Sequence, residues 1–285
     1  MTLFGAVEVG GTKVDMAVGT SPDDLAPTRI ATGTPEDTLG AIVEFFDGTA
    51  VAAIGVACFG PLNLDRASPR YGTMLATPKP HWSGAPILGT LSAGLEAPIG
   101  LETDVNGAAL GEGRWGAAQG MTHYAYMTVG TGIGVGMVVG GSVVTGAAHP
   151  EAGHMMVGRL DGDDYPGNCP YHGECLEGMA AGPALEARFG GPSTWAGNDA
   201  VTHLAADYVA RGLRNLRYVA AVERIVVGGG VPGLPGFHER VRHTLGELIA
   251  GYPDEPDLDL LVSPPGLSDL SGLAGALILA ERASA

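Results

Sequence analysis

Cys169, His172 and Cys175 form a C-x2-H-x2-C series, and His154 stands fifteen residues before Cys169. Three nitrogen or sulfur ligands from one short loop, with a fourth from upstream, make a closed tetrahedral zinc site. Thiolate together with imidazole suits zinc rather than magnesium or calcium. Two free cysteines beside unrelated histidines are the plainer alternative. Gly167-Asn168, Pro170 and Gly173 argue against it, because they make a tight loop rather than a packed strand. No coordination position is left for water, so the zinc is expected to be structural. It would pin Glu151, His154 and Glu177 in one place, two acidic side chains and an imidazole suited to binding hydroxyls.

Glycine turns offer a second chemistry. The strand-like run Leu3–Val9 ends in Gly10-Gly11-Thr12-Lys13, and a strand resumes at Val14. Such a hairpin tip presents N–H groups, a hydroxyl and an ammonium, and can hold phosphate. It is not a Walker loop, since G-x4-G-K-[ST] is absent. An ordinary Gly-Gly hairpin with a solvated Lys13 fits the motif equally. Tyr124–Val129 reads as a strand running into Gly130-Thr131-Gly132. A dinucleotide G-x-G-x-x-G fails there in every register, because the third glycine falls on Val135, Met137 or Val139. The stretch reads as a second glycine hairpin able to grip a polyphosphate, or as a glycine-rich strand packed on a neighbour. Arg224–Val227 runs into Gly228-Gly229-Gly230-Val231-Pro232, which leaves room for a flat ligand such as adenine or makes a plain turn.

Asp104 lies between the short strand Pro98–Glu102 and a helix through Ala108, Leu110 and Trp115. That location is an N-cap, and the helix dipole there favours an ionised carboxylate at neutral pH. A capping aspartate accounts for the local sequence. The functional reading comes from topology, since ligands gather at the carboxyl ends of strands in parallel α/β sheets.

The remaining elements must position these groups. Thr34, Pro35 and the spacing of Leu39, Ile42, Val43 and Phe46 predict a capped helix with an apolar face. Val51–Phe59 reads as a buried strand. Asn63–Trp82, broken by prolines and carrying Arg66, Arg70 and Lys79, reads as a loop that covers a cleft or is simply solvated. Helices are expected over Cys175–Arg188, interrupted at Gly182-Pro183, over Asp199–Val222, over Phe237–Ile249, and over Ser268–Arg282 with Ser268 as cap. Leu258–Val262 reads as a strand.

The chain has 285 residues, 45% hydrophobic and 16% charged, enough for a large core and two domains. Its 47 glycines suit tight turns and close backbone approach. A net charge of −16 makes nucleic acid and anionic membrane poor partners. No apolar run reaches the length of about 18 residues expected of a membrane-spanning helix. MTLFGAVEVGGTK does not resemble a signal peptide. Cysteine use fits a reducing compartment, so a cytoplasmic location is expected.

Taken in order, Glu8-Val9-Gly10-Gly11-Thr12-Lys13, Thr103-Asp104-Val105-Asn106, Val129-Gly130-Thr131-Gly132, Gly146–His154, the Cys169–Cys175 loop and Val227–Val231 resemble the ROK family of sugar kinases and repressors. The likeness covers nearly the whole chain. Cys58-Phe59-Gly60-Pro61, the Tyr71–Trp82 segment and the C-P-Y-H zinc loop look most like its fructokinase branch. Glucokinases of the family usually carry C-x-C-G-x2-G-C, and Asn where this chain has Thr103.

The resemblance implies an α/β, actin-like (ribonuclease H-like) fold of two domains with a cleft between them. Residues 1–117 with the 268–285 helix would form one domain. Residues 118–267, with the zinc loop 154–175, would form the other. It implies Asp104 as catalytic base and Gly10, Gly11, Thr12, Lys13, Thr131 and Gly132 on phosphates. Gly182, Pro183, Gly229, Gly230, Val231 and Pro232 would lie on the adenosine side. Thr103, Asp104, Glu151, His154 and Glu177 would contact the sugar. His154, Cys169, His172 and Cys175 would hold structural Zn2+. Glu8 replaces a frequent Asp and would reach Mg2+ through water. The implied reaction moves the γ-phosphoryl of Mg-ATP to the 6-hydroxyl of fructose, with mannose, glucose and N-acetylhexosamines as rival acceptors. Relatives often form homodimers. The repressors carry an added DNA-binding helix-turn-helix, for which neither charge nor room is evident here; a non-catalytic sugar sensor is the remaining reading of a different class.

Overall fold

The computed structural model describes residues 2–285. In chain order the elements are β1 (Phe4–Val9), β2 (Lys13–Gly19), β3 (Thr28–Ala31), α1 (Pro35–Phe46), β4 (Ile54–Cys58), α2 (Ile87–Gly94), β5 (Ile99–Thr103) and α3 (Asp104–Trp115). There follow β6 (Tyr124–Val129), β7 (Ile133–Val139), β8 (Ser142–Val143), α4 (Leu176–Ala180), α5 (Gly182–Phe189) and α6 (Asp199–Ala220). The chain ends with β9 (Arg224–Gly228), α7 (Phe237–Ile249), α8 (Leu258–Leu261), β10 (Val262–Ser263) and α9 (Ser271–Ala283). It divides into two units, Met1–Gly120 with Val143–Pro150 and Gly266–Ala285, and Met121–Ser142 with Glu151–Pro265.

The first unit holds a five-stranded sheet in the order β3-β2-β1-β4-β5. β1 pairs antiparallel with β2 and parallel with β4, which pairs parallel with β5. β4 is buried along its whole length, as a central parallel strand requires. One face packs on α1 and α2 through Val7, Val56, Leu39, Ile42 and Leu91. The other takes α9 through Ala6, Ala57, Leu273 and Ala276. Gly55 permits that close approach, because a Cβ there would overlap the Ala276 carbonyl. The buried carboxylate of Glu112 in α3 accepts from Ala117 N (2.7 Å), Gly266 N (2.9 Å), Leu267 N (3.1 Å) and Ser271 Oγ (2.6 Å). One side chain thus fastens the chain where it leaves α3 and where it returns to α9.

The second unit repeats the plan with the order β10-β9-β6-β7-β8, β6 antiparallel to β7 and parallel to β9. Its core joins Met127, Val129, Val226's neighbours Ile225 and Val227, and the apolar stripe of α6 and α7. Asp207 ties those two helices, accepting from Arg240 at 2.7 Å and Thr244 at 2.6 Å. No helix among the described residues is long and apolar enough to cross a membrane.

Two local expectations fail. Leu258–Leu261 is a short helix, because Asp257 accepts from the Asp259 and Leu260 amides and starts a turn that an apolar run alone does not reveal. Only Val262–Ser263 is strand. Ser268 opens a 3-10 turn instead of capping α9, which begins at Ser271.

Candidate active site

The register places the first group of candidate residues. Val9 pairs with Cys58, and Cys58 with Thr103, so β1, β4 and β5 end at one edge. Gly10-Gly11-Thr12 and Asp104 therefore leave the same edge of the same sheet, the end at which parallel α/β sheets carry ligands. The N-cap is Thr103, not Asp104. Its Oγ1 accepts from Asn106 N at 3.2 Å and the residue is buried. Asp104 is the first helical residue, half-buried, with Oδ1 accepting from Val105 N at 2.9 Å. The cap is thus supplied by the neighbour, and the Thr103 hydroxyl serves the helix start.

At the hairpin, Lys13 donates to Asp15 at 2.9 Å. Arg29 adds a second, forked contact to the same carboxylate at 2.6 and 3.0 Å. Burial pushes Asp15 up, but the Arg29 and Lys13 bonds prevail and hold it below the usual carboxylate range. Glu8, on the same strand end, is half-buried, and its Oε2 atom is shut off from solvent with no hydrogen-bond partner among the described residues. Burial raises it from 4.5 to about 7, with the Asp104 charge adding to the rise and Lys13 opposing it. Glu8 in the folded chain therefore binds its proton more tightly than in the unfolded chain, and its contribution to stability is lost as pH rises from about 4.5 to about 7. Glu8→Gln should remove that slope and be more stable than wild type at pH 8 relative to pH 5 by up to about 3 kcal/mol. Urea unfolding at the two pH values measures it, and parallel curves for the two proteins would contradict it.

In the second unit, Val129 pairs with Ile133 and Thr128 with Gly228, so the Gly130–Gly132 tip and the Gly229 turn share an edge. Gly182, the first residue of α5, donates its N–H to Gly130 O at 2.7 Å, with Pro183 next in the first turn, which joins that helix start to the tip. Gly229 has φ +99°, and a Cβ there would lie 2.5 Å from Val129 O. A Cβ on Gly228 would lie equally close, 2.5 Å from the Tyr126 hydroxyl. Of the three glycines only Gly230 faces open space, so the expected room for a ligand narrows to that position. Val231 and Pro232 are buried and shape the turn from beneath.

His154, Cys169, His172 and Cys175 converge, with one ligand atom from each lying within 4.8 Å of the others. His154 Nδ1 is 3.6 Å from both sulfurs, and His172 Nδ1 is 3.8 Å from Cys169 Sγ. A tetrahedron built from Zn–S of about 2.3 Å and Zn–N of about 2.0 Å has an S···N edge of about 3.5 Å. Two sulfurs and two imidazoles at that spacing fit zinc. Burial pushes the Cys175 thiol up to about 11, the Gly178 amide pulls it back and the Cys169 sulfur adds to the rise; such thiols need a cation to become thiolates.

The loop is held by reciprocal bonds between Cys169 and Gly173, by Asn168 N on Gly178 O and by Leu176 N on Met155 O. Arg188 grips Asp163 with two bonds of 3.0 Å, and Tyr208 adds a third at 2.5 Å. Sequence reasoning missed this clamp, since its members lie 25 and 45 residues apart. With Nδ1 facing the sulfurs, His154 keeps Nε2 for another partner. Glu177 Oε2 accepts from Ile133 N at 2.9 Å, which ties α4 to the second tip, and Oε1 lies 4.0 Å from His154 Nδ1. Glu151 is exposed one turn before His154, at the start of the 3-10 turn Ala152–His154.

Two similar sheets, each with a glycine hairpin at the ligand-bearing edge, an aspartate at a strand-to-helix junction and a thiol–imidazole cluster define a two-domain α/β fold of the kinase type. The ROK family profile matches residues 4–283, and the chain belongs to the ROK family. It is 39% identical to a fructokinase of Pediococcus pentosaceus, over 99% of this chain and 98% of that one. It is equally 39% identical to a fructokinase of Zymomonas mobilis, over 99% and 97%. Among solved structures, a ROK hexokinase of Thermus thermophilus superimposes with a TM-score of 0.77 at 29% identity, over 99% of this chain and 98% of that one.

Proposed function

We propose that the protein is an ATP-dependent hexose kinase acting on the 6-hydroxyl of fructose. Full-length likeness to proteins named fructokinase carries the choice of acceptor. Asp104, at the carboxyl end of β5 with its cap supplied by Thr103, carries the choice of base.

A sugar hydroxyl is a weak nucleophile. Asp104 orients it and accepts its proton as the new O–P bond forms and the bond between the β-oxygen and γ-phosphorus breaks, leaving ADP. The N–H groups of Gly11, Thr12 and Lys13 in the first unit and of Thr131-Gly132 in the second neutralise phosphate charge, while the Gly10 amide closes the hairpin on the Lys13 carbonyl at 2.8 Å. Mg2+ enters as part of the Mg-ATP substrate. Gly182, Pro183 and Gly229–Pro232 form the adenosine side, with Gly230 the open position. Glu151, the Nε2 of His154 and the Oε1 of Glu177 meet sugar hydroxyls. His154, Cys169, His172 and Cys175 would hold zinc, which supplies a crosslink that fixes the His154 ring. A site built to hydrogen-bond a hydroxyl rejects analogues lacking it.

A coupled ADP-release assay with Mg-ATP over fructose, mannose, glucose and N-acetylhexosamines tests the acceptor. Fructose should give the highest kcat/KM. Preference for another hexose would move the chain within its family, and no sugar-dependent release would favour a non-catalytic sensor.

A further inference from the structure

The chain contains two lysines, Lys13 and Lys79, against thirteen arginines. They lie 66 residues apart in sequence, yet both reach the first glycine hairpin. Lys13 spends a bond on Asp15. Lys79, from the proline-broken segment after β4, donates Nζ to the Gly11 carbonyl at 2.7 Å and lies 3.4 Å from the Thr32 carbonyl. Both partners are main-chain oxygens of the hairpin and of the residue following β3.

The neighbouring carbonyls are held as well. Thr32 Oγ1 donates to Gly10 O at 2.7 Å, and Thr32 N donates to Thr12 O at 3.0 Å. Three successive carbonyls are therefore fastened by Thr32 and Lys79. In a trans peptide the N–H points opposite to the C=O. Fixing those oxygens turns the amides of Gly11, Thr12 and Lys13 away from Thr32 and Lys79. Among the described residues, no hydrogen bond uses the Gly11 or Thr12 amide as donor. A Cβ on Gly11 would meet nothing within 4 Å, so the tip opens on space. Outward amides of this kind bind anions.

The middle peptide depends on Lys79. Thr32 holds the carbonyls on either side, whereas Gly11 O has Lys79 as its donor. Glycine at position 11 offers little resistance to a flip, which would aim a carbonyl at the phosphate. An ammonium on that oxygen also polarises the peptide and strengthens its N–H as a donor. A compact ammonium suits a single carbonyl better than the fork of an arginine, which matches paired acceptors. The segment itself does not need Lys79 for anchorage. The fully buried Trp82 donates Nε1 to Gly33 O at 3.0 Å, and Thr77 and Ser83 bond across the turn at 3.1 Å.

We propose that Lys79 is a positioning residue for the nucleotide: by holding the Gly11 carbonyl it keeps the Gly11–Thr12 amide turned toward a β- or γ-phosphate. This rests on the kinase reading above. The test is the affinity of the full chain for Mg-AMPPNP, AMP and fructose, in wild type, Lys79→Met and Thr32→Val. Loss of a charge-assisted bond predicts an AMPPNP affinity about tenfold weaker or more in Lys79→Met, with AMP and fructose within about twofold. Thr32→Val, which frees the neighbouring Gly10 carbonyl without touching the 75–83 segment, should shift the AMPPNP-to-AMP ratio in the same sense, and it carries the test if Lys79→Met does not fold. A structural staple would weaken all three ligands together or lower only the melting temperature, and either result overturns the proposal. Wild type that binds no AMPPNP would sink the kinase reading and this one together. Wild-type binding with an unchanged ratio in the variants would sink this one alone.

Discussion

Asp104→Asn should lower kcat with fructose by about 10²–10⁴-fold, the range expected for loss of a general base. Fructose affinity should stay within a few-fold, because the amide keeps the oxygen that accepts from Val105 N and leaves the Thr103 cap in place. The fold should survive for the same reason. A calorimetric titration with fructose beside steady-state kinetics separates the two effects. Turnover near that of wild type would remove Asp104 as the base. A parallel collapse of sugar affinity would make it a binding group first. The substitution has a second readout. The Asp104 charge is among the causes that raise Glu8, so the pH at which Glu8 titrates should fall in the variant.

The second large effect concerns the cysteine loop. Purified wild type should carry stoichiometric zinc by metal analysis. Cys175→Ala should lose most of it, because the remaining three ligands leave an open position in a half-exposed loop. The KM for fructose should then rise about 10- to 100-fold, the usual cost of disturbing the groups that orient a site. AMP affinity should change far less. The reasoning runs through His154, whose Nδ1 faces both sulfurs while Nε2 stays available, and through Glu177, which is shared with Ile133 N. A metal-free wild type, or a variant with unchanged KM, would separate the loop from the sugar.

Much of this was legible because the signals are local. The spacing of Cys169, His172 and Cys175 limits what the loop does, and His154 joins them at distances that suit zinc. The Thr34 cap, the α6 stripe and the break between α4 and α5 follow from neighbours along the chain. What escaped is of two kinds. Adjacent residues compete for one local role, as when Thr103 rather than Asp104 caps α3 and Asp257 turns an apolar run into a helix. Other contacts span long separations, such as Lys79 on Gly11 across 68 residues or Glu112 on Ser271 across 159, and nothing in the flanking sequence marks them. The second glycine turn shows an intermediate case. Its composition suggested room, while Gly228 and Gly229 are used to pass close to β6.

The most direct measurement is 31P NMR of the product formed from Mg-ATP and fructose by the wild-type chain. Phosphate on the 6-oxygen with equimolar ADP is the predicted result. Inorganic phosphate with unchanged fructose, or phosphate on the 1-oxygen, would contradict the assignment of this chain as a fructose 6-kinase.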